Sequence, residues 1–185
     1  MELQNHTQNI SFYVNEGDFV TLGRKLTKLG KTEVYEFENE LDKDDFVQLD
    51  TTANDTVVKA TGVAIGHLVS EPQGNFPRED TEYENLAELR KATVNMFVVN
   101  QVYNLRLSET SDAIATGDFV EIGSDGSIRK AGNTDTGARA TESKSANNGG
   151  YIDVIITNKG GISVNNASPW THRFKKCSYY CNWWN

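Results

Sequence analysis

One short phrase occurs three times in this chain of 185 residues. "GDFV" stands at 17–20 and at 117–120, and its close copy "DDFV" stands at 44–47. The three copies continue alike, as "GDFVTLG", "GDFVEIG" and "DDFVQLD". Gly and Asp favour a turn, whereas Phe, Val, Thr and Ile suit a pleated, half-buried strand. Each copy therefore predicts a turn followed by a short strand.

The copy at 117–123 also predicts a hairpin. Side chains alternate between the faces of a strand, so Phe119 and Glu121 share one face while Val120 and Ile122 share the other. The Asp-Gly pair at 125–126 favours a tight turn, and "SIRKA" follows it as the returning strand.

Further segments have the composition of strands. They are rich in β-branched and aromatic residues and are separated by Gly and Asn clusters: "NISFYVN" (9–15), "TVVKATGVAIGHLVS" (56–70), "TVNMFVVNQVYNLRL" (93–107) and "YIDVIITN" (151–158). Many short strands with regular turn signals predict an all-β fold, either a sandwich or a barrel.

One short helix is predicted over 81–92, "TEYENLAELRKA". Thr81 stands three residues before Glu84, which is the spacing of a capping box. Tyr83, Leu86 and Ala87 then fall on one helical face, together with Arg90.

Two segments differ from the rest in composition. Residues 24–45 are dense in charge, beginning basic and turning acidic, and are interpreted as an exposed loop or hairpin. The segment from Trp170 to Asn185 contains six aromatic residues, four residues that are Arg, Lys or His, and no carboxylate. Large exposed aromatic side chains commonly mark a binding surface.

The candidate site residues all lie in this C-terminal tail: Trp170, Phe174, Lys175, Lys176, Tyr179, Tyr180, Trp183 and Trp184. In the first interpretation, the Trp side chains anchor the tail on a protein partner and Lys175 and Lys176 pair with its acidic groups. In the second, the tail folds back on the acidic body of its own chain. In the third, it is an appended or frame-shifted segment with no selected role. Cys177 and Cys181 can pair locally or stay free.

Charge and residue spacing restrict the function. The formal net charge of -8 disfavours a nucleic-acid partner, and no apolar stretch approaches the length of a membrane span. His67 within "AIGHLVS" is interpreted as a strand residue, and the run "DKDD" at 42–45 lacks the Gly and Glu that a calcium loop requires. We therefore expect no enzyme activity, no cofactor and no metal site.

The order of these motifs resembles the capsid decoration (cement) proteins of tailed bacteriophages. The resemblance is carried by "GDFVTLG", "ATGVAIGHLVS", "TGDFVEIGSDGSIRKAG" and "NNGGYIDVII", and covers roughly residues 14–157. It implies a β-rich, non-catalytic domain on the outside of a capsid, as a homo-oligomer, that reinforces the shell or anchors further surface structures. Its partners would be the major capsid protein and a head fibre or other capsid-surface protein.

The expected organisation follows from this resemblance. Residues 1–13 form an N-terminal arm, 14–157 the β-rich domain with the charged stretch inside it, and 158–185 the aromatic, basic tail. The protein is expected to be made in the host cytoplasm and to reside on the virion surface. The alternative function is a carbohydrate-binding or adhesion module, because exposed Trp and Tyr also stack on sugars.

Overall fold

The computed structural model describes residues 8–17, 19–27, 30–37, 39–73, 90–132, 134–157 and 159–165. Within these residues the chain forms fourteen β-strands and no helix, which confirms the all-β class. The strands are β1 (Gln8–Val14), β2 (Phe19–Thr27), β3 (Gly30–Phe37), β4 (Phe46–Leu49), β5 (Thr56–Lys59), β6 (Val63–Ala64), β7 (Gly66–Leu68), β8 (Lys91–Met96), β9 (Val102–Arg106), β10 (Val120–Ile122), β11 (Ile128–Lys130), β12 (Ala138–Ala140), β13 (Tyr151–Ile156) and β14 (Ile162–Ser163).

Five strands of the N-terminal half close into a barrel in the order β1-β5-β4-β7-β8. Strand β1 completes the ring by pairing antiparallel with β8 and parallel with β5. Because the ring is closed, these strands leave no free edge. Residues 8–13, which the sequence assigned to an arm, are therefore most of a barrel strand.

Five strands of the C-terminal half repeat this arrangement. Strand β13 pairs antiparallel with both β9 and β12, and β10 pairs antiparallel with β11. Two single bridges complete the ring, one parallel between Leu107 and Ile128 and one antiparallel between Phe119 and Arg139. The order β9-β11-β10-β12-β13 thus matches the first barrel strand for strand, and we call this ring the second barrel.

The registers of the two barrels also match. Leu68 pairs with Val94 in the first barrel, as Ala140 pairs with Val154 in the second. All seven buried residues that form the core of the first barrel have a buried counterpart. The pairs are Val14 and Leu107, Leu41 and Ile114, Val47 and Val120, Val57 and Ile128, Leu68 and Ala140, Ala92 and Ile152, and Val94 and Val154. The chain is a tandem structural repeat.

This repeat accounts for two copies of the recurring phrase. Asp44 and Gly117 open these copies with φ angles of 70° and 91°. The next residues, Asp45 and Asp118, each close the same turn by accepting a hydrogen bond from the backbone N–H three residues earlier, at 3.0 Å and 2.9 Å. The predicted succession of turn and strand is confirmed here, since β4 and β10 follow. In the third copy Gly17 has a φ of 78° and β2 begins at Phe19.

The first barrel differs from the second by two insertions. Strands β2 and β3 form an antiparallel hairpin that is inserted in the sequence between β1 and β4. The charged stretch was predicted to be either a loop or a hairpin, and the structure shows the hairpin. The second insertion, residues 74–89, lies outside the described residues. Most of the helix predicted over 81–92 falls within this insertion and is therefore also outside them. The end of that helix was predicted wrongly, because Lys91 and Ala92 begin strand β8. Cross-strand pairing with β1 overrides their helical spacing there.

The two barrels are joined by an apolar cluster that continues the core of the second barrel, whereas the seven core residues of the first barrel form a separate cluster. The larger core cluster contains Phe46 and Phe97 from the first half together with Tyr103 and Ile122 from the second. The rings of Phe97 and Tyr103 meet edge to face, with centroids 5.0 Å apart. Strand β14 pairs with β6 of the first half and also bridges to Ile122 through Val164. The body therefore continues past residue 158, at which the sequence had placed the start of the tail.

Candidate functional site

A buried ion pair lies at one end of the first barrel. Arg90 Nη1 lies 2.8 Å from Glu16 Oε2, and the two residues are 4% and 0% exposed. The Leu41 N–H donates to Glu16 Oε1 at 2.9 Å, and Arg90 Nη2 donates to the Pro72 carbonyl at 2.9 Å. Burial raises the pKa of Glu16, while the Leu41 hydrogen bond and the Arg90 charge act against that rise.

This ion pair connects the bases of both insertions. Glu16 directly precedes the hairpin insertion, and its carbonyl accepts the Asn39 N–H from the far side of that insertion at 2.8 Å. Arg90 directly follows the second insertion, whose flanks are held by two hydrogen bonds between Gln73 and Lys91, of 2.8 and 2.9 Å. One pair of charges therefore fixes where both inserted segments leave the barrel.

The second barrel has a glutamate but no arginine at the corresponding positions. Val14 N–H donates to the Arg90 carbonyl at 3.2 Å, just as Leu107 N–H donates to the Gly150 carbonyl at 2.7 Å. Gly150 thus occupies the place of Arg90. Glu109, two residues after Leu107, occupies the place of Glu16, two residues after Val14.

An open cleft of about 450 Å³ lies at this place in the second barrel. Its walls include Arg106, Ser108, Glu109, Asp125, Gly150 and Tyr151. A Cβ built at Gly150 would meet no atom within 4 Å. A Cβ built at neighbouring Gly149 would lie 3.1 Å from Glu109 Cγ, which places the exposed Glu109 side chain against this turn.

Asp125 supplies a second carboxylate to the cleft. Ser108 Oγ donates to Asp125 Oδ2 at 2.6 Å, and Ser127 N–H donates to Oδ1 at 3.2 Å. Burial raises the pKa of Asp125, but these hydrogen bonds more than offset it and leave the pKa below its ordinary value. Arg106 Nη2 donates to the carbonyls of Asp125 and Gly126, both at 3.3 Å. The cleft therefore has two carboxylates and one guanidinium.

Tyr151 forms the rim of the cleft and is 47% exposed. Its hydroxyl donates to Asp44 Oδ2 at 3.2 Å, which brings a third carboxylate to the rim. Tyr151 pairs with Arg106 across the strands, as Lys91 pairs with Tyr13 in the first barrel. The aromatic residue is on β1 in the first barrel but on β13 in the second, and the basic residue is on β8 in the first but on β9 in the second. In the first barrel, Lys91 Nζ lies 4.4 Å from the centroid of the Tyr13 ring.

The eight residues that the sequence nominated as a binding site all lie outside the described residues. The last described residue before them, Asn165, is hydrogen-bonded to the β10–β11 hairpin. Asn165 N–H donates to the Ile122 carbonyl at 2.8 Å, and Asn165 Nδ2 donates to Glu121 Oε1 at 2.9 Å. Arg129 Nη2 donates to the Asn165 carbonyl at 3.2 Å. Asn165 is thus held in place on the β10–β11 hairpin.

His67 lies on strand β7, as the sequence predicted. Its Nε2 lies 3.3 Å from Asn95 Nδ2, and its ring stacks near Phe97 with centroids 6.1 Å apart. Burial lowers the pKa of His67, against the opposing effect of Asp44. These contacts are those of a residue packed on a sheet.

Sequence reasoning missed Glu109 and Gly150. The glycines at 149–150 were interpreted only as a separator between strands. They can be identified by aligning the two halves of the chain on β8 and β13, because this alignment makes Gly150 equivalent to Arg90.

Comparison with protein-family models gives no matching family, and comparison with curated proteins gives no match. Within the described part of the chain, no group of three or more His, Cys, Asp or Glu residues is arranged to hold a metal ion. A search of the same residues for helices finds none with the length and apolar character needed to span a membrane.

Proposed function

We propose that this chain is a structural virion protein that binds the outer surface of a bacteriophage capsid as a decoration protein. It reinforces the shell or anchors further surface structures, and it has no catalytic role. Its partners are the major capsid protein and a further capsid-surface protein such as a head fibre, and it acts as a homo-oligomer.

The observation that carries this proposal is the joining of a closed barrel to a second, matching ring of strands through a shared apolar cluster. Strands paired around a ring leave few free edges, so they resist edge-to-edge aggregation at the high local density of a capsid surface. A core shared between barrels keeps them at a fixed spacing, which suits attachment to a regular lattice where weak contacts add through avidity.

The tail supplies the proposed attachment. Trp170, Phe174, Tyr179, Tyr180, Trp183 and Trp184 are the aromatic anchors, and Lys175 and Lys176 pair with acidic groups of the partner. Asn165 fixes the origin of the tail on the body, so every copy presents it from the same place.

Electron microscopy of particles made with and without the gene tests this proposal. We expect extra density on the outer shell that disappears with the gene. Purified protein added back to bare particles should restore that density, and Trp183→Ala/Trp184→Ala should bind at least tenfold more weakly, because aromatic hot spots commonly carry over 1.4 kcal/mol. Val102→Ala, at an exposed position of β9, is the control. Identical shells with and without the gene would refute the proposal.

The alternative, a carbohydrate-binding module, is favoured by one observation. Tyr151 is exposed beside Arg106 and Glu109, and a tyrosine ring next to charged groups can stack on a sugar and bond its hydroxyls. Sugar binding on a glycan array that is lost in Tyr151→Ala would support this alternative. Binding that is absent on the array leaves the capsid proposal ahead.

A further inference from the structure

We propose that Asn148 is a site of self-catalysed chemical modification, at which the side-chain amide is lost through attack by the backbone nitrogen of Gly149. The product carries a new carboxylate in the turn that leads into the wall of the cleft at Gly150. This inference concerns the chemistry of the chain itself and does not depend on capsid binding.

The first argument is the sequence of this turn. Asn148 and Gly149 lie in the connection between β12 and β13, and they are the one Asn-Gly pair in the chain. An asparagine followed by glycine is the most reactive pair of this kind, because glycine has no Cβ to obstruct the approach of its nitrogen to the asparagine side chain. The pair therefore has the intrinsic reactivity that the modification requires.

The second argument is the absence of hydrogen bonds that would hold the reacting groups apart. Asn148 is exposed. Within the part of the chain that the structure describes, neither its side-chain amide nor the Gly149 N–H has a hydrogen-bond partner. Gly149 itself is buried, but its partner in the reaction is the neighbouring side chain rather than a molecule from solvent. Both groups are therefore available to react with each other.

The third argument is a comparison with Asp125 and Gly126, an Asp-Gly pair that could form the same ring. Here the Gly126 N–H donates to the Gly123 carbonyl at 3.0 Å, and Asp125 accepts the Ser108 hydroxyl at 2.6 Å. These contacts hold the nitrogen and the carboxylate in place, and the low pKa of Asp125 keeps its carboxylate ionised and thus a poor electrophile. The fold protects Asp125 but provides no such protection at Asn148.

The reaction needs no reagent other than water. The Gly149 nitrogen bonds to Cγ of Asn148, the Cγ–Nδ2 bond breaks, and the proton of the attacking N–H leaves with Nδ2 as ammonia. Water then opens the resulting cyclic imide at either of its carbonyl carbons. Opening at Cγ gives aspartate, whereas opening at the main-chain carbon gives isoaspartate, in which the chain continues through Cγ.

The modification should alter the wall of the cleft. The Asn147 N–H donates to the Ser111 carbonyl at 2.9 Å, and the Gly150 carbonyl accepts the Leu107 N–H at 2.7 Å, so the turn is held on both sides of the reacting residues. Isoaspartate adds a methylene to the main chain inside this held segment and should therefore weaken the bond between Leu107 and Gly150. Either product adds negative charge near a wall that already contains Glu109.

Peptide mapping of the full-length protein by mass spectrometry tests the proposal. The folded protein is incubated in mildly alkaline water enriched in heavy oxygen and is sampled over time. We expect Asn148 to be converted progressively to aspartate and isoaspartate that contain heavy oxygen, while Asp125 stays unmodified. Asn148→Gln should abolish the conversion, because its longer side chain closes the ring far more slowly. Hydrogen exchange of the Leu107 amide should be faster in the isoaspartate form than in fresh protein.

Asn147 is the matched internal control, because it is exposed in the same turn but is followed by asparagine. The proposal is overturned if Asn148 stays intact in the folded protein under conditions that convert a peptide of residues 145–151. It is also overturned if Asn147 is converted as fast as Asn148, or if Asn148 is converted only after the protein is unfolded in urea. Unchanged exchange of the Leu107 amide in the isoaspartate form would overturn the proposed effect on the cleft.

Discussion

Arg90 and Glu16 form an ion pair of 2.8 Å inside the first barrel, whereas the matching positions of the second barrel hold Gly150 and an exposed Glu109. The first barrel thus has a buried ion pair, at the bases of both insertions, that the second barrel lacks. Because removing either partner leaves the other charge buried without a counter-charge, the first barrel should be sensitive to substitution of either residue.

Removing one partner of this pair should be costly. We expect Arg90→Met to lower the free energy of unfolding by about 3–5 kcal/mol, since it leaves the Glu16 carboxylate buried without a counter-charge. Urea denaturation followed by far-ultraviolet circular dichroism measures this. Glu109→Gln, at the matching exposed position, is the control and should change stability by less than about 0.5 kcal/mol. Equal effects of the two substitutions would contradict the assigned role of the ion pair.

Tyr103 connects the two barrels through its hydroxyl. That hydroxyl accepts the Val98 N–H at 2.8 Å and donates to the Met96 carbonyl at 2.8 Å. Tyr103→Phe should lower the free energy of unfolding by about 1–3 kcal/mol, because it leaves two backbone groups without their partner. Tyr151→Phe, whose hydroxyl is near the surface, is the control and should have a much smaller effect. Two separate unfolding transitions in the parent protein would contradict the coupling of the two barrels through this contact.

His67 should make stability depend on pH. Burial holds its pKa in the folded state below the ordinary value of 6.5. Between these two pKa values the unfolded chain binds more protons than the folded one, so stability falls as pH decreases below 6.5 and levels off below the folded pKa. Urea midpoints compared at pH 7.5 and pH 5 measure this. In His67→Gln the decrease between these pH values should be smaller, and an identical decrease would assign the effect to other groups.

Gly137 has no room for a side chain. Its φ is +91°, and a Cβ there would collide with the Gly161 carbonyl oxygen, which belongs to the backbone and cannot rotate away. Gly137→Ala should cost about 1–3 kcal/mol from the strained conformation, with a similar further cost from overpacking. Gly132→Ala is the control, because no atom lies within 4 Å of a Cβ at that glycine. Thermal melts of both variants distinguish them.

The all-β class and the turn that opens each phrase could be predicted because both depend on local chemistry. Residues such as Gly117 and Asp44 favour a positive φ, and the alternation after them is that of a strand. By contrast, Lys91 and Ala92 continue a helical spacing but are fixed in β8 by pairing with β1, which is distant in sequence. Local periodicity carries no information about such a partner.

The repeat itself could not be predicted from periodicity for the same reason. At structurally matched positions its halves share the three-residue stretch Asp-Phe-Val and no longer one, and matched core positions differ in size, as Leu68 and Ala140 do. The equivalence lies in the register of paired strands. The cleft was missed for a related reason, because Glu109 and Gly150 are brought together only when β9 pairs with β13.

The contact between the two barrels is asymmetric, because the side that the second barrel buries in the contact is exposed in the first barrel. Tyr103 and Ile122 of the second barrel are 4% and 2% exposed at this junction, whereas their counterparts in the first barrel, Ile10 and Leu49, are 42% and 52% exposed. Among the described residues, the side of the first barrel that matches the junction side of the second barrel therefore carries exposed apolar residues where the second barrel has buried ones.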